Sequence, residues 1–182
     1  MPIKMTAGVT VRTATFWFPA NYLGITDWPT TFADVLHRYL QPTPRLIAAV
    51  PADRTQLAAP TGDGPIRCAG GPLRLLDLTA SSAIAGRDAD RRYHQWSTTG
   101  AIGARRRFPR GTELALLRAG RDTYQTYHRL RQVVGDALLD RGTDTVLGPA
   151  DATPAGLLAY LHDATAHLAT AALDDVLVTV TA

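Results

Sequence analysis

Hydrophobic and polar residues alternate in the stretch GVTVRTATFWFP, where Val9, Val11, Thr13, Thr15 and Trp17 interleave with Thr10, Arg12, Ala14, Phe16 and Phe18 up to Pro19. The alternation and the β-branched and aromatic content predict a strand, buried most deeply at its C-terminal end. The period then becomes helical. Thr31 and Asp34 stand at capping-box spacing and Phe32, Val35, Leu36 and Tyr39 form one stripe, a short helix that Gln41-Pro42 stops. RLIAAV at 45–50 reads as a buried strand, so the first fifty residues predict a β-α-β opening. The Pro, Gly and Asp content of 51–65 marks a loop, and 66–78 reads as two short strands around Gly70-Gly71.

Periodicity is weakest over 79–111, a stretch rich in Ser, Thr, Gly and Arg that predicts an irregular segment. Helical spacing resumes at Thr112. Gly120 ends or bends a first helix, and Asp122 with Gln125 opens a second that runs to Arg141, before Gly142. Tyr124, Tyr127, Leu130, Val134, Ala137 and Leu138 would share its inner face. Thr153-Pro154 starts a helix over 153–173 with Leu157, Leu161, Ala164, Leu168 and Ala171 as its core stripe. VLVTVT at 176–181 closes the pattern as a strand. The elements predict a single α+β domain over 1–182: one mixed or mostly antiparallel sheet of about five strands, with the two longer C-terminal helices packed on one face.

Composition supports a core of that size, since 46% of the 182 residues are hydrophobic. No apolar run reaches the length of a signal peptide or a membrane span, so the chain reads as soluble and cytoplasmic, with no membrane partner. Cys68 is the only cysteine; it excludes an internal disulfide and reads as a small buried hydrophobe. Charge is segregated. Residues 87–131 carry eleven basic and four acidic groups, whereas 132–182 carry one and seven.

The chain has no P-loop, dinucleotide fingerprint, HExxH, GxSxG elbow or CxxC. Of its five histidines, His162 and His167 point about 140° apart on one helix, so no metal site and no cofactor is expected. Gly100–Gly103 has the GxxG spacing of KH loops without their flanking helical pattern, and no residue role is carried over from it. Two groups of residues remain. In RRYHQWSTTG, Arg91, Arg92, Tyr93, His94 and Trp96 combine guanidiniums that grip an anion with rings that stack. On the predicted helix, Tyr124, His128 and Arg131 recur at one edge. Between them, Arg105, Arg106, Arg107 and Arg110 surround Phe108-Pro109; so many guanidiniums must face water or an acid, either an external partner or the aspartates of the C-terminal segment.

Three functions fit this pattern. The first is a binding protein that presents Arg91, Arg92, Trp96, Arg105, Arg106, Arg107, Phe108, Arg110 and Arg131 to nucleic acid or another phosphate- or carboxylate-bearing ligand. The second is a cofactor-free enzyme acting on an anionic or aromatic small molecule, with His94 or His128 moving a proton and Tyr124 as hydrogen-bond donor. The third is an assembly protein whose strand 176–181 and arginine loop join copies into a homo-oligomer. A closed pocket containing His94 or His128 would separate the second from a continuous basic face.

Overall fold

Every residue of Thr13–Phe18 (β1) is buried, on both of the faces that a strand presents. Such a strand belongs at the centre of a sheet covered on both sides. The computed structural model describes residues 11–22, 57–59 and 66–181. In chain order β1 is followed by Leu57–Ala59 (β2), Ile66–Cys68 (β3), Gly70–Pro72 (β4), a 3-10 turn at Leu73–Leu75 and the helix Leu78–Thr99 (α1). Two helices come next, Gly111–Arg118 (α2) and Arg121–Val134 (α3), then the strands Ala137–Asp140 (β5) and Thr145–Leu147 (β6). Pro154–Leu168 (α4) and Val176–Thr181 (β7) complete the described order.

The result is the α+β fold expected: a mixed five-stranded sheet in the order β4-β7-β1-β5-β6, beside a β2–β3 ribbon. Only β1 and β5 run parallel; the other pairings in the sheet are antiparallel. β7 is interior, bonded to β1 along its length and to β4 through Val176–Val178. Both of its edges are thus paired over Val176–Val178. The helix-facing side of the sheet carries Trp17, Leu138 and Leu177, packed with Val133 and Val134 of α3 and with Leu161, Ala164 and Leu168 of α4. Cys68 is buried in the same core.

Sequence and structure part over 78–99. The irregular segment expected from residue 79 is a 22-residue helix, capped by the Asp77 carboxylate on the Ala80 amide at 2.7 Å and closed by Gly100 in the left-handed region. Its buried side is made of small residues, Ser81, Gly86 and Ala89, before the half-buried Tyr93 and Trp96. The spacing is helical but the residues are not hydrophobic. Gly86 has a packing reason: a Cβ there would lie 2.8 Å from Cγ of Arg129 on α3. Irregular backbone is confined to 100–110, where Ile102 and Arg107 exchange two backbone hydrogen bonds.

A second difference lies at the end of α3. The helix stops at Val134, so Ala137 and Leu138 belong to β5 and not to a helix face. Gly135 makes the turn with φ 70°, and a Cβ there would lie 2.8 Å from the Thr13 carbonyl oxygen, so the chain passes against β1 with no room for a side chain. At the other end α3 begins at Arg121 with Gly120 as its N-cap, and Asp122 lies in the first turn without capping. α4 starts as expected, with the Thr153 hydroxyl accepting from the Gly156 amide at 3.1 Å. It ends at Leu168, short of Ala171, which still packs on the core. The strand at 45–50 and the helix at 31–40 lie outside the described residues.

Leu161 is 1% exposed between the sheet and α3. Leu161→Ala should cost about 2–5 kcal/mol. Arg106→Ala, on the exposed loop, should stay within about 0.5 kcal/mol. Chemical denaturation of the two variants measures both, and a larger loss for Arg106→Ala would mean that the arginine run is an internal scaffold.

Candidate functional site

α3 carries Tyr124, Tyr127, His128 and Arg131 along the side it turns towards α1, α2 and α4. α1 adds Arg92, the loop before α2 adds Arg107 and Arg110, and the approach to β1 adds Arg12. All of these but Tyr124, which is buried behind them, line a cavity of about 480 Å³. Among the described residues Glu113 and Asp136 are its only carboxylates against five guanidiniums, and Leu116, Leu157 and Leu161 supply apolar wall. Concave sites of this size and mixed lining are the usual form of small-molecule sites.

The loop is tied to the helices. The Gln95 side chain donates to the Gly103 carbonyl at 3.2 Å and accepts from the Gly103 amide at 2.8 Å, which anchors the 102–107 turn to α1. Arg106 closes that turn at φ 49°. Arg107 then reaches back to Glu113 at 2.6 Å in the first turn of α2. The acid that answers Arg107 is thus local, not one of the C-terminal aspartates. Pro109 is buried, leaving Phe108 alone as the exposed apolar point of the stretch.

Arg131 is committed to the scaffold. It binds the Asp136 carboxylate through two nitrogens, Nη2 at 2.8 Å, and Asp136 also accepts from the Arg12 and Thr13 amides at 2.9 and 3.0 Å. Burial opposes the charge on Arg131, but the Asp136 bonds outweigh it and hold its pKa above the ordinary arginine value. Tyr160 of α4 donates to the Val134 carbonyl at 3.1 Å, and burial raises its phenol well above the usual range. Arg92 and Arg110 differ: no carboxylate among the described residues pairs with either.

His128 lies edge-on between Tyr124 and Tyr127, with ring centroids 4.4 and 5.1 Å away. Its Nε2 is buried without a hydrogen-bond partner, and the Tyr124 hydroxyl is buried beside the Arg92 guanidinium. Arg92 stands beside both. Burial, reinforced by Arg92 and Arg131, lowers the His128 pKa from 6.5 to about 3. The imidazole is therefore neutral where an ordinary histidine titrates. Burial also raises the Tyr124 phenol, which keeps its proton.

Of the residues singled out from the sequence, the cavity gathers Arg92, Arg107, Arg110, His128 and Arg131, with Tyr124 directly behind. Helix formation disperses the rest. Arg91 is exposed and pairs with Asp88 one turn earlier, and His94 is exposed on a different side of α1 from Arg92. Trp96 packs on Tyr93 at 5.6 Å, while Arg105, Arg106 and Phe108 project from the loop outside the cavity. Sequence reasoning missed Arg12, Glu113, Asp136, Tyr127 and Tyr160 as parts of the site. Only Tyr127, one turn from Tyr124 and beside His128, carried a local signal.

A second polar cluster sits at the carboxyl ends of the parallel pair, where Asp140 accepts from Thr143 at 2.8 Å and from His167 at 2.9 Å. Burial alone would raise the Asp140 pKa, but these bonds and the Gly142 and Thr143 amides lower it. With its lone pairs taken, Asp140 fastens α4 to β5. Among the described residues no group of three His, Cys, Asp or Glu side chains could hold a metal ion, and no helix is long and apolar enough to cross a membrane. No protein-family model, curated protein or solved structure matches the chain.

The depressed His128 pKa has a signed consequence. Between pH 6.5 and about 3 the unfolded chain binds a proton at this site and the native protein does not, so the His128 contribution to stability falls as pH falls through that window. Denaturation midpoints followed from about pH 7 to about pH 4 should decline less steeply for His128→Gln than for the wild type. An imidazole NMR titration of His128 with a midpoint near 6.5 would contradict its burial in neutral form.

Proposed function

We propose that this protein binds a small, multiply charged anion in the arginine-lined cavity. The observation that carries the reading is the imbalance, among the described residues, of five guanidiniums and two carboxylates around one concave space, with Arg92 and Arg110 unpaired by any described acid. Like charges held this close repel, and a bound anion relieves the repulsion where the enclosing protein weakens screening by water. Neutral His128, whose Nε2 has no partner, fits this role as a further hydrogen-bonding group beside Arg92.

Nucleic acid is the second reading, favoured by a different observation. Arg105, Arg106 and Phe108 are exposed on the loop whose later arginines enter the cavity, so a phosphate backbone could follow the rim without entering it.

Two double variants separate the readings. Pyrophosphate should raise the melting temperature of the wild type, and Arg92→Ala with Arg110→Ala should reduce its affinity by roughly tenfold or more. Arg105→Ala with Arg106→Ala should leave that shift unchanged. If instead the Arg105 and Arg106 variant alone loses binding, and the bound species is an oligonucleotide whose affinity falls steeply with salt, the rim reading replaces the cavity reading.

A further inference from the structure

The helix α2 opens onto the cavity without a cap. Arg110, its N-cap residue, is extended and makes no side-chain bond to the first turn. The next residues, Thr112 and Glu113, form part of the cavity wall. Backbone amides at such a terminus point outward with the positive end of the helix dipole, a ready place for an anion. Here the terminus is not alone. Arg110 stands at its first position, Arg92 lines the same cavity from α1, and Arg107 holds Glu113, the one acid of the first turn, in an ion pair. Below this polar end Leu116 and Leu157 are buried together in one cluster and Leu161 in the adjoining core, each with a surface on the cavity.

Donor number distinguishes the anions that such a place could hold. Two guanidinium forks, the Thr112 hydroxyl and the free amides of a first turn offer more hydrogens than the roughly four lone-pair sites of a carboxylate can accept. A phosphoryl group has three strong acceptor oxygens and close to two negative charges, and it matches both the donors and the excess of positive charge. A cavity of about 480 Å³ has room for more than a phosphoryl group, which calls for an ester carrying a further body. We infer that the cavity takes a phosphomonoester, its phosphoryl group held at the N-terminus of α2 between Arg92 and Arg110 and its apolar body lying along Leu116, Leu157 and Leu161. This inference rests on the cavity being an anion site.

Isothermal titration of the full chain with phenyl phosphate, benzoate and inorganic phosphate tests it. Phenyl phosphate should bind roughly tenfold or more tightly than either of the others. Thr112→Pro, which removes one first-turn amide at a helix position where proline is tolerated, should weaken phenyl phosphate by a similar factor and benzoate by much less. Circular dichroism verifies that this variant folds; if it does not, Thr112→Val, which deletes only the hydroxyl, must show a smaller loss in the same direction. Equal affinity for phenyl phosphate and benzoate overturns the phosphoryl assignment and leaves the anion site standing. Equal affinity for phenyl phosphate and inorganic phosphate overturns the apolar body. No saturable binding of any of the three overturns the inference and the anion site together.

Discussion

The carboxylate of Asp136 accepts hydrogen bonds from the backbone amides of Arg12 and Thr13 and from the guanidinium of Arg131. One acid therefore fixes where β1 begins, where α3 ends and how the chain enters β5. The pair is largely shielded from water, so removing either partner would strand a charge, a loss far greater than that of an exposed ion pair. Thr15 strengthens the same junction, donating to the Val133 carbonyl at 3.1 Å and meeting Thr179 of β7 at 3.2 Å. Because α3 is held at this point, Tyr124, Tyr127 and His128 project from a rigid support into the space between α1, α2 and α4.

The same pair sorts the arginines by role. Arg131 is neutralised from within and Arg107 by Glu113, so these two shape the wall. Arg92 and Arg110 are left to project their charge into the cavity. All four of Arg92, Arg105, Arg106 and Arg110 are exposed, and what separates the pairs is that Arg92 and Arg110 line the cavity. Position relative to the cavity, not the number of arginines in the run, sets these two apart.

That distinction was only partly legible in the sequence. The ends of the chain's core were: Thr13–Phe18 and Val176–Thr181 alternate as strands, and Thr153-Pro154 announces α4. α1 was not, because its inner stripe is Ser81, Gly86 and Ala89, small residues chosen for close approach to α3 that carry no hydrophobic signal. Treating 91–96 as one cluster followed from the same misreading, since a loop can present consecutive residues together while a helix turns Arg91, Arg92 and His94 to different sides. The α3–β5 boundary was obscured by continuity: Val133-Val134 and Ala137-Leu138 keep an apolar rhythm across it, and only Gly135 marks the break. Arg12 and Asp136 could not be assigned to the site by any local pattern, since their meeting depends on the sheet.

The interior place of β7 bears on how the molecule comes to be folded. The bond that joins Thr15 to Thr179 spans 164 positions, and β7 lies between β4 and β1. During synthesis β1 precedes both of its partners, and β7 becomes available only after β5. The helices α1 to α3 are built from contacts close in sequence and can form in that interval. The entropy of closing so long a loop must be met before the central pairing rewards it, which places completion of the sheet late. Until then the edge of β1 that β7 will cover stays open, the feature on which holding chaperones and aggregation compete.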